Sequence, residues 1–262
     1  MNAAAIAIVV WLDWIRRKDA YVLLIMLVAL LLAVTSVDAF GLRGVGMYAL
    51  DVALLLAWVF GWLLAVNAGS RELPQEESRG TVFLLLSKPI TRADLVIGKW
   101  IGVWTGVACA VLLFYAAGGA VVRLRGVRFD VAAMMQAWML HAAALAVFTA
   151  LAVAFSTRMN RDAAATLSGL LSAAAFLLTP RIPELVLHSG KWNQDVLLVL
   201  YYILPHVELF DIRQRVVHGF GPVSASTAAA VLLYGTVLTA MLLLAAWLTY
   251  RGKRFARDSL AE

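Results

Sequence analysis

The sequence predicts an all-α membrane protein: six transmembrane helices, an interfacial helix ahead of them, and an outer-face helical element before the last helix. Three observations predict it. Hydrophobic residues make up 63% of the 262 residues and charged residues 15%, whereas a soluble domain is about half apolar and about a quarter charged. The chain has too little polar surface to cover itself in water. Apolar stretches of the length that crosses about 30 Å of hydrocarbon, at about 1.5 Å per residue, recur along it. Basic residues collect beside those stretches, as the positive-inside bias predicts.

The elements follow in order. Residues 1–18 read as the interfacial helix, with Asp13, Arg16 and Arg17 on one side and Trp11 and Trp14 as headgroup-level anchors. Ile6 and Val9 project toward that same polar side, so the amphipathicity is weak. The positive charges follow the apolar residues Ile6–Leu12 rather than precede them, which argues against a cleavable signal peptide. The six spans are 20–37, 48–68, 95–122, 131–155, 163–179 and 226–250. Between the fifth and sixth lies a long outer connection, 180–225. Its apolar piece 196–204 is too short to span, Pro205 interrupts it, and Glu208, Asp211, Arg213 and Arg215 follow. This reads as an element that dips into the outer face or lies in its interface.

Six spans place both ends on one side. The cytoplasmic side is assigned from Arg16–Lys18, Arg71, Arg79, Lys88, Arg92, Lys99, Arg158, Arg161 and Arg251–Arg257, which hold most of the 22 Lys and Arg residues. Arg123, Arg125 and Arg128 in a short outer loop run against the rule. The expected location is the inner membrane, multi-pass, with both termini cytoplasmic. The spans consume the chain as a single transmembrane domain over 1–262, which leaves no room for a soluble catalytic domain. The net charge of +6 reads as topology rather than nucleic-acid binding.

Chemistry-bearing residues are sparse. Cys109 is the only cysteine, so a disulfide within the chain and a Cys-based metal site are excluded; it reads as a small buried hydrophobe. His188, His206 and His218 have no diagnostic metal spacing. No metal site and no catalytic residue is assigned. Gly44-Val45-Gly46-Met47-Tyr48-Ala49 fits a dinucleotide pattern but follows no strand. His141 lies mid-span, where an ionisable residue is a functional candidate and a hydrogen bond to a neighbouring helix is the expected state. Asp51 and Asn67, at the two ends of the second span, read as interfacial. In the fifth span, Ala163, Ala164, Ala165, Ser168, Gly169, Ser172 and Ala173 allow close backbone approach between helices.

The most specific stretch lies between the second and third spans. It reads Glu72, then Glu76-Glu77, Arg79, Gly80-Thr81, Leu84-Leu85-Leu86, Ser87-Lys88-Pro89-Ile90, Arg92 and Gly98-Lys99. Pro74 suits a first helical turn, and Glu76-Glu77 suit a positive helix N-terminus. Gly80 permits a turn, Pro89 breaks the chain, and Thr91 with Asp94 three residues on suits a capping box. This ordered set resembles the permease subunits of type-2 ABC exporters, as does Leu204-Pro205-His206-Val207-Glu208-Leu209-Phe210-Asp211 before the last helix.

The resemblance implies a transport subunit that performs no chemistry itself. Residues 70–98 become a cytoplasmic coupling loop docked on a separate ATPase, with Glu72, Glu76, Glu77, Arg79, Gly80, Thr81, Ser87, Lys88, Pro89, Arg92 and Lys99 at the contact. A second copy completes the path, with Ala165, Ser168, Gly169 and Ser172 at the seam. Pro205, Glu208 and Asp211 mark the outer element. ATP and Mg would bind the partner, and no cofactor this chain. Two other classes compete. An intramembrane lipid-modifying enzyme needs several convergent polar groups at one depth. A secondary transporter needs charges in mid-span and repeated broken helices, and the spans are nearly free of charge.

Overall fold

The computed structural model describes residues 3–16, 19–36, 46–80, 90–188 and 190–253. Among these the chain is helical throughout its ordered elements and has no strand. In order they are α1 (Ala3–Arg16), α2 (Asp19–Ser36), α3 (Gly46–Ser78), α4 (Arg92–Leu124), α5 (Val131–Ser156) and α6 (Arg161–Leu178). A short 3₁₀ turn then leads into α7 (Ile182–Leu187). After it come α8 (Lys191–Ile203), a second 3₁₀ turn (Val207–Phe210), α9 (Arg213–Val217) and α10 (Ala225–Arg251). This is an all-α membrane protein. Hydrocarbon offers no water to backbone groups, so a spanning segment must satisfy its own N–H and C=O groups, and a helix does so.

Among the described residues five helices are long and apolar enough to cross a membrane: Met47–Ser78, Arg92–Leu124, Val131–Ser156, Arg161–Leu187 and Ala225–Arg251. The first expected span is α2, with the shorter apolar stretch Tyr21–Ala33 at its centre. The fifth runs on through the 3₁₀ turn into α7.

Side chains at the helix starts take up the amide groups that a helix leaves unbonded. Thr91 and Asp94 form the expected capping box at α4. Asp130 accepts from the Ala132 amide at 2.8 Å, Asn160 from Ala163 at 2.9 Å, and Ser224 from Thr227 at 3.3 Å.

Helix α5 is the axis of the bundle, mostly buried among α3, α4, α6 and α10. Its alanines Ala137, Ala144, Ala150 and Ala152 let neighbours approach closely. Helix α1 runs alongside the first half of α4 in the same direction. Ile6 lies against Gly98, Val10 against Gly102 and Trp14 against Gly106, one helical turn matched to the next. A Cβ on Gly98 or Gly102 would lie 2.7 Å from α1. Trp11 donates its indole N–H to Thr105 at 2.9 Å. The opposite side of α1 exposes Ile8, Val9 and Leu12, so both of its faces are apolar.

Three expectations are corrected. Pro74 does not open a new helix. It sits inside α3, which continues to Ser78 because Glu72 and Leu73 are buried and anchored; one lost backbone bond near the end is offset by that packing. The run 71–78 is thus helix rather than loop. Cys109 is exposed on the outside of α4, facing away from the core. His141 stacks on an indole ring instead of forming a hydrogen bond.

Candidate functional site

The ends of α3, α4, α5 and α10 meet at one end of the bundle and bring together charges that are far apart in sequence. The Lys99 ammonium donates to Glu72 Oε2 at 3.0 Å and to Glu76 Oε1 at 2.6 Å. Lys99 and Glu72 side chains are each 3% exposed. Charges this deep persist only when paired, so the three side chains fix α3 to α4. Spacing explains the pair on α3: residues four apart share a face, and both carboxylates point to the same ammonium. Arg71 flanks Glu72, with its Nε 3.9 Å from Oε1.

A second knot lies beside the first. The Lys253 ammonium donates to both oxygens of Glu77, at 2.7 and 2.8 Å, and to the Thr157 carbonyl at 2.9 Å. Arg92 Nη1 reaches the carbonyls of Tyr250, Arg251 and Lys253 at 2.8 to 2.9 Å. Tyr250 and Arg251 close the last turn of α10, where helix carbonyls run out of intrahelical donors, and the Tyr250 carbonyl also accepts from the Lys253 amide at 3.2 Å. Arg158 donates to the Thr249 carbonyl at 2.9 Å, and the Thr157 and Thr249 hydroxyls are 2.9 Å apart. The end of α10 is therefore gripped by three other helices.

Gly80 terminates α3 with φ +68°, and its amide donates to the Glu77 carbonyl at 3.1 Å. Only glycine adopts this backbone readily. Arg79 is exposed in the same turn. Thr81, Ser87, Lys88 and Pro89 lie outside the described residues.

The fifth-span residues divide. Ser168 and Ser172 are buried within this chain; Trp62 on α3 donates to the Ser172 hydroxyl at 2.7 Å. Ala165 and Gly169 are half-buried, and a Cβ on Gly169 would meet only Val66, at 3.8 Å. The small-residue face thus packs α6 against α3, and leucines such as Leu167, Leu170 and Leu171 face outward. A cavity of about 330 Å³ lies between α3 and α6, lined by Leu55, Trp58, Trp62, Ser172, Phe176 and Arg213 among others.

At the opposite end the chain folds back into the bundle. Val207 and Phe210 of the 3₁₀ turn are fully buried, and Phe210 presses on Gly235 of α10. The Pro205 carbonyl accepts from Val207, and the His206 amide donates to Tyr234 at 2.9 Å. Asp211 takes a two-pronged bond from Arg213 at 2.7 to 3.0 Å. The Arg213 guanidinium lies 5.8 Å from the centre of the Trp58 ring. Trp58 also stacks on His141, with centroids 4.2 Å apart and planes 5° apart. Burial holds the Glu208 carboxyl above its ordinary range. Asp51 accepts from Gln214 at 3.4 Å, and Asn67 from Arg161 at 3.2 Å, each at its end of α3.

Lys253, Arg213, Trp58 and Trp62 were not singled out by the sequence. Lys253 and Arg213 read there only as topology charges, and the 176 positions between Lys253 and Glu77 carry no local signal. Among the described residues no group of three or more His, Cys, Asp and Glu could hold a metal ion.

The profile of the ABC-2 family transporter protein matches residues 4–260. None of the curated proteins compared matches the chain.

Proposed function

This chain belongs to the ABC-2 family of transporters, and from that premise we propose that two copies, driven by a separate ATPase, form the path of an exporter. Family membership makes the chain a membrane subunit of an ABC transporter. The sequence holds no G-x-x-x-x-G-K-[ST] phosphate loop, so the reading assigns ATP and Mg to the partner. The end of the bundle that carries the Lys99 and Lys253 knots is read as cytoplasmic, in the inner membrane, because most basic residues collect there.

One observation supports the coupling role most directly. The chain between Gly80 and Ile90 joins two helix ends that the Glu72–Lys99–Glu76 cluster locks together, and the neighbouring Glu77–Lys253 pair locks α10 to them. A push received there reaches three helices at once. In this reading the acidic residues of α3 transmit the movement from inside the protein. Arg79, Gly80, Thr81, Ser87, Lys88 and Pro89 meet the ATPase.

The homodimer seam follows the α3–α6 side. Ser168 and Ser172 pack inward, so the seam is assigned to the outward leucines with Ala165 and Gly169 at their edge, next to the cavity between the two helices. An apolar surface of this kind suits either lipid or a second copy.

The test uses Gly80→Val. A β-branched residue at φ +68° is strained, and the substitution touches no buried charge. The variant should insert normally but fail to stimulate ATP hydrolysis by its co-expressed ATPase, or fail to co-purify with it. Normal assembly and transport-linked hydrolysis would remove the coupling role.

A further inference from the structure

We propose that a cleft on the membrane-facing side holds one acyl chain of a phospholipid, whose phosphate is bound at Arg251. The cleft lies between α4 and α10 with α5 as its floor, and its volume is about 660 Å³. Ala142, Ala143 and Ala146 of α5 give it depth. Trp100, Trp104 and Trp138 wall it, and their indole N–H groups are already spent: they donate to the carbonyls of Ala146, Ala142 and Ala108 at 3.1, 2.8 and 3.1 Å. The walls are therefore fixed in place and present carbon. Thr236 bonds its hydroxyl back to Leu232 at 2.8 Å. Thr239, with no partner for its hydroxyl, can make the same bond to its own helix by a rotamer change.

Size selects the occupant. Along α10 the cleft runs from Leu232 to Leu243, a rise of about 16 Å. A helix about 10 Å across and of that length would fill more than about 1,200 Å³, nearly twice what is available. A single alkyl chain is long and thin enough. Inside hydrocarbon the cleft cannot hold water favourably, and left empty its lining would lose contacts.

Charge selects the head. One and two turns beyond Leu243 the same ridge carries Trp247 and Arg251. The Arg251 guanidinium is exposed and 5.3 Å from the Trp247 ring centre. Among the described residues no carboxylate pairs with it. A cation beside an indole, where a span meets the headgroups, suits a lipid phosphate.

The experiment places the protein in vesicles doped with an anionic phospholipid that carries a diazirine in one acyl chain, then maps the photo-adducts by mass spectrometry. Adducts should concentrate on Met139 and Leu243. Ala240→Trp, which fills the cleft from an exposed rim position, should reduce them to the level seen at exposed Leu113 of α4. Arg251→Glu, which leaves the lining untouched, should lower them about fivefold or more. Adducts spread evenly over Leu113, Leu233 and the cleft, indifference to both substitutions, or crosslinks between two copies through Leu243 would each overturn the proposal.

Discussion

At the scale of single residues, the buried ammonium of Lys99 is the most exacting group in the molecule. It pairs with two carboxylates while its own side chain is 3% exposed. Lys99→Met would leave the buried Glu72 with only the longer Arg71 contact at 3.9 Å, and removing the partner of a buried charge costs up to about 3–5 kcal/mol. The expected outcome is a marked fall in thermal midpoint in detergent, largely restored when Glu72→Gln and Glu76→Gln are added. No restoration would show that the cluster is not what holds the two helices. Glu208 offers a test by pH. Burial raises its carboxyl above the unfolded value, so the fold prefers the protonated form. That preference is fully present below the unfolded pKa and is lost as the pH rises through the folded one. Glu208→Gln should therefore gain thermal midpoint relative to the wild type between mildly acidic and neutral pH. A difference that stays constant across this range would count against burial as the cause.

At the scale of elements, α1 depends on three glycines. Gly98, Gly102 and Gly106 recur every fourth residue of α4 and leave room for Ile6, Val10 and Trp14. Gly102→Leu would place a side chain where Val10 stands, and overpacking of this kind costs about 1–3 kcal/mol. With Cys109→Ser as background, a disulfide between Ile6→Cys and Gly98→Cys, whose Cβ positions adjoin, should form and then be lost when Gly102→Leu is added. Its survival would mean that α1 is held by something else. The helices themselves were legible in the sequence, because a run of about 20 apolar residues in this context has one physical solution. The capping box at Thr91 was legible for the same local reason. The continuation of α3 through Pro74 was not. Proline is a local stop signal, and the anchoring of Glu72 and Leu73 that overrides it comes from α4, more than twenty residues on.

At the scale of the whole molecule, the basic residues named as cytoplasmic gather at one end. Arg71, Arg92, Lys99, Arg158 and Lys253 all lie there, with Asp211, Arg213 and Gln214 at the other. Impermeant thiol reagent on intact cells should label Ser226→Cys and not Ser78→Cys in a cysteine-free background. The reverse pattern would invert the topology. The acidic run of the candidate coupling face could be read from sequence, but its wiring could not. Glu77 meets Lys253 and Trp58 meets Arg213 only after the bundle closes. His141 stood out as an ionisable group in mid-span, yet its stacking on Trp58 required a ring from another helix.

The grip of Arg92 and Glu77 on the end of α10 also sets an order of manufacture. A ribosome adds about 5–20 residues per second, so roughly 10–35 s separate the appearance of Glu77 from that of Lys253. Throughout that interval one carboxylate and one guanidinium wait at the membrane surface without their final partners. A chain stalled in this interval would expose a face of open charges. Arrival of α10 conceals it, because Lys253 then takes up Glu77 and the end of the helix takes up Arg92.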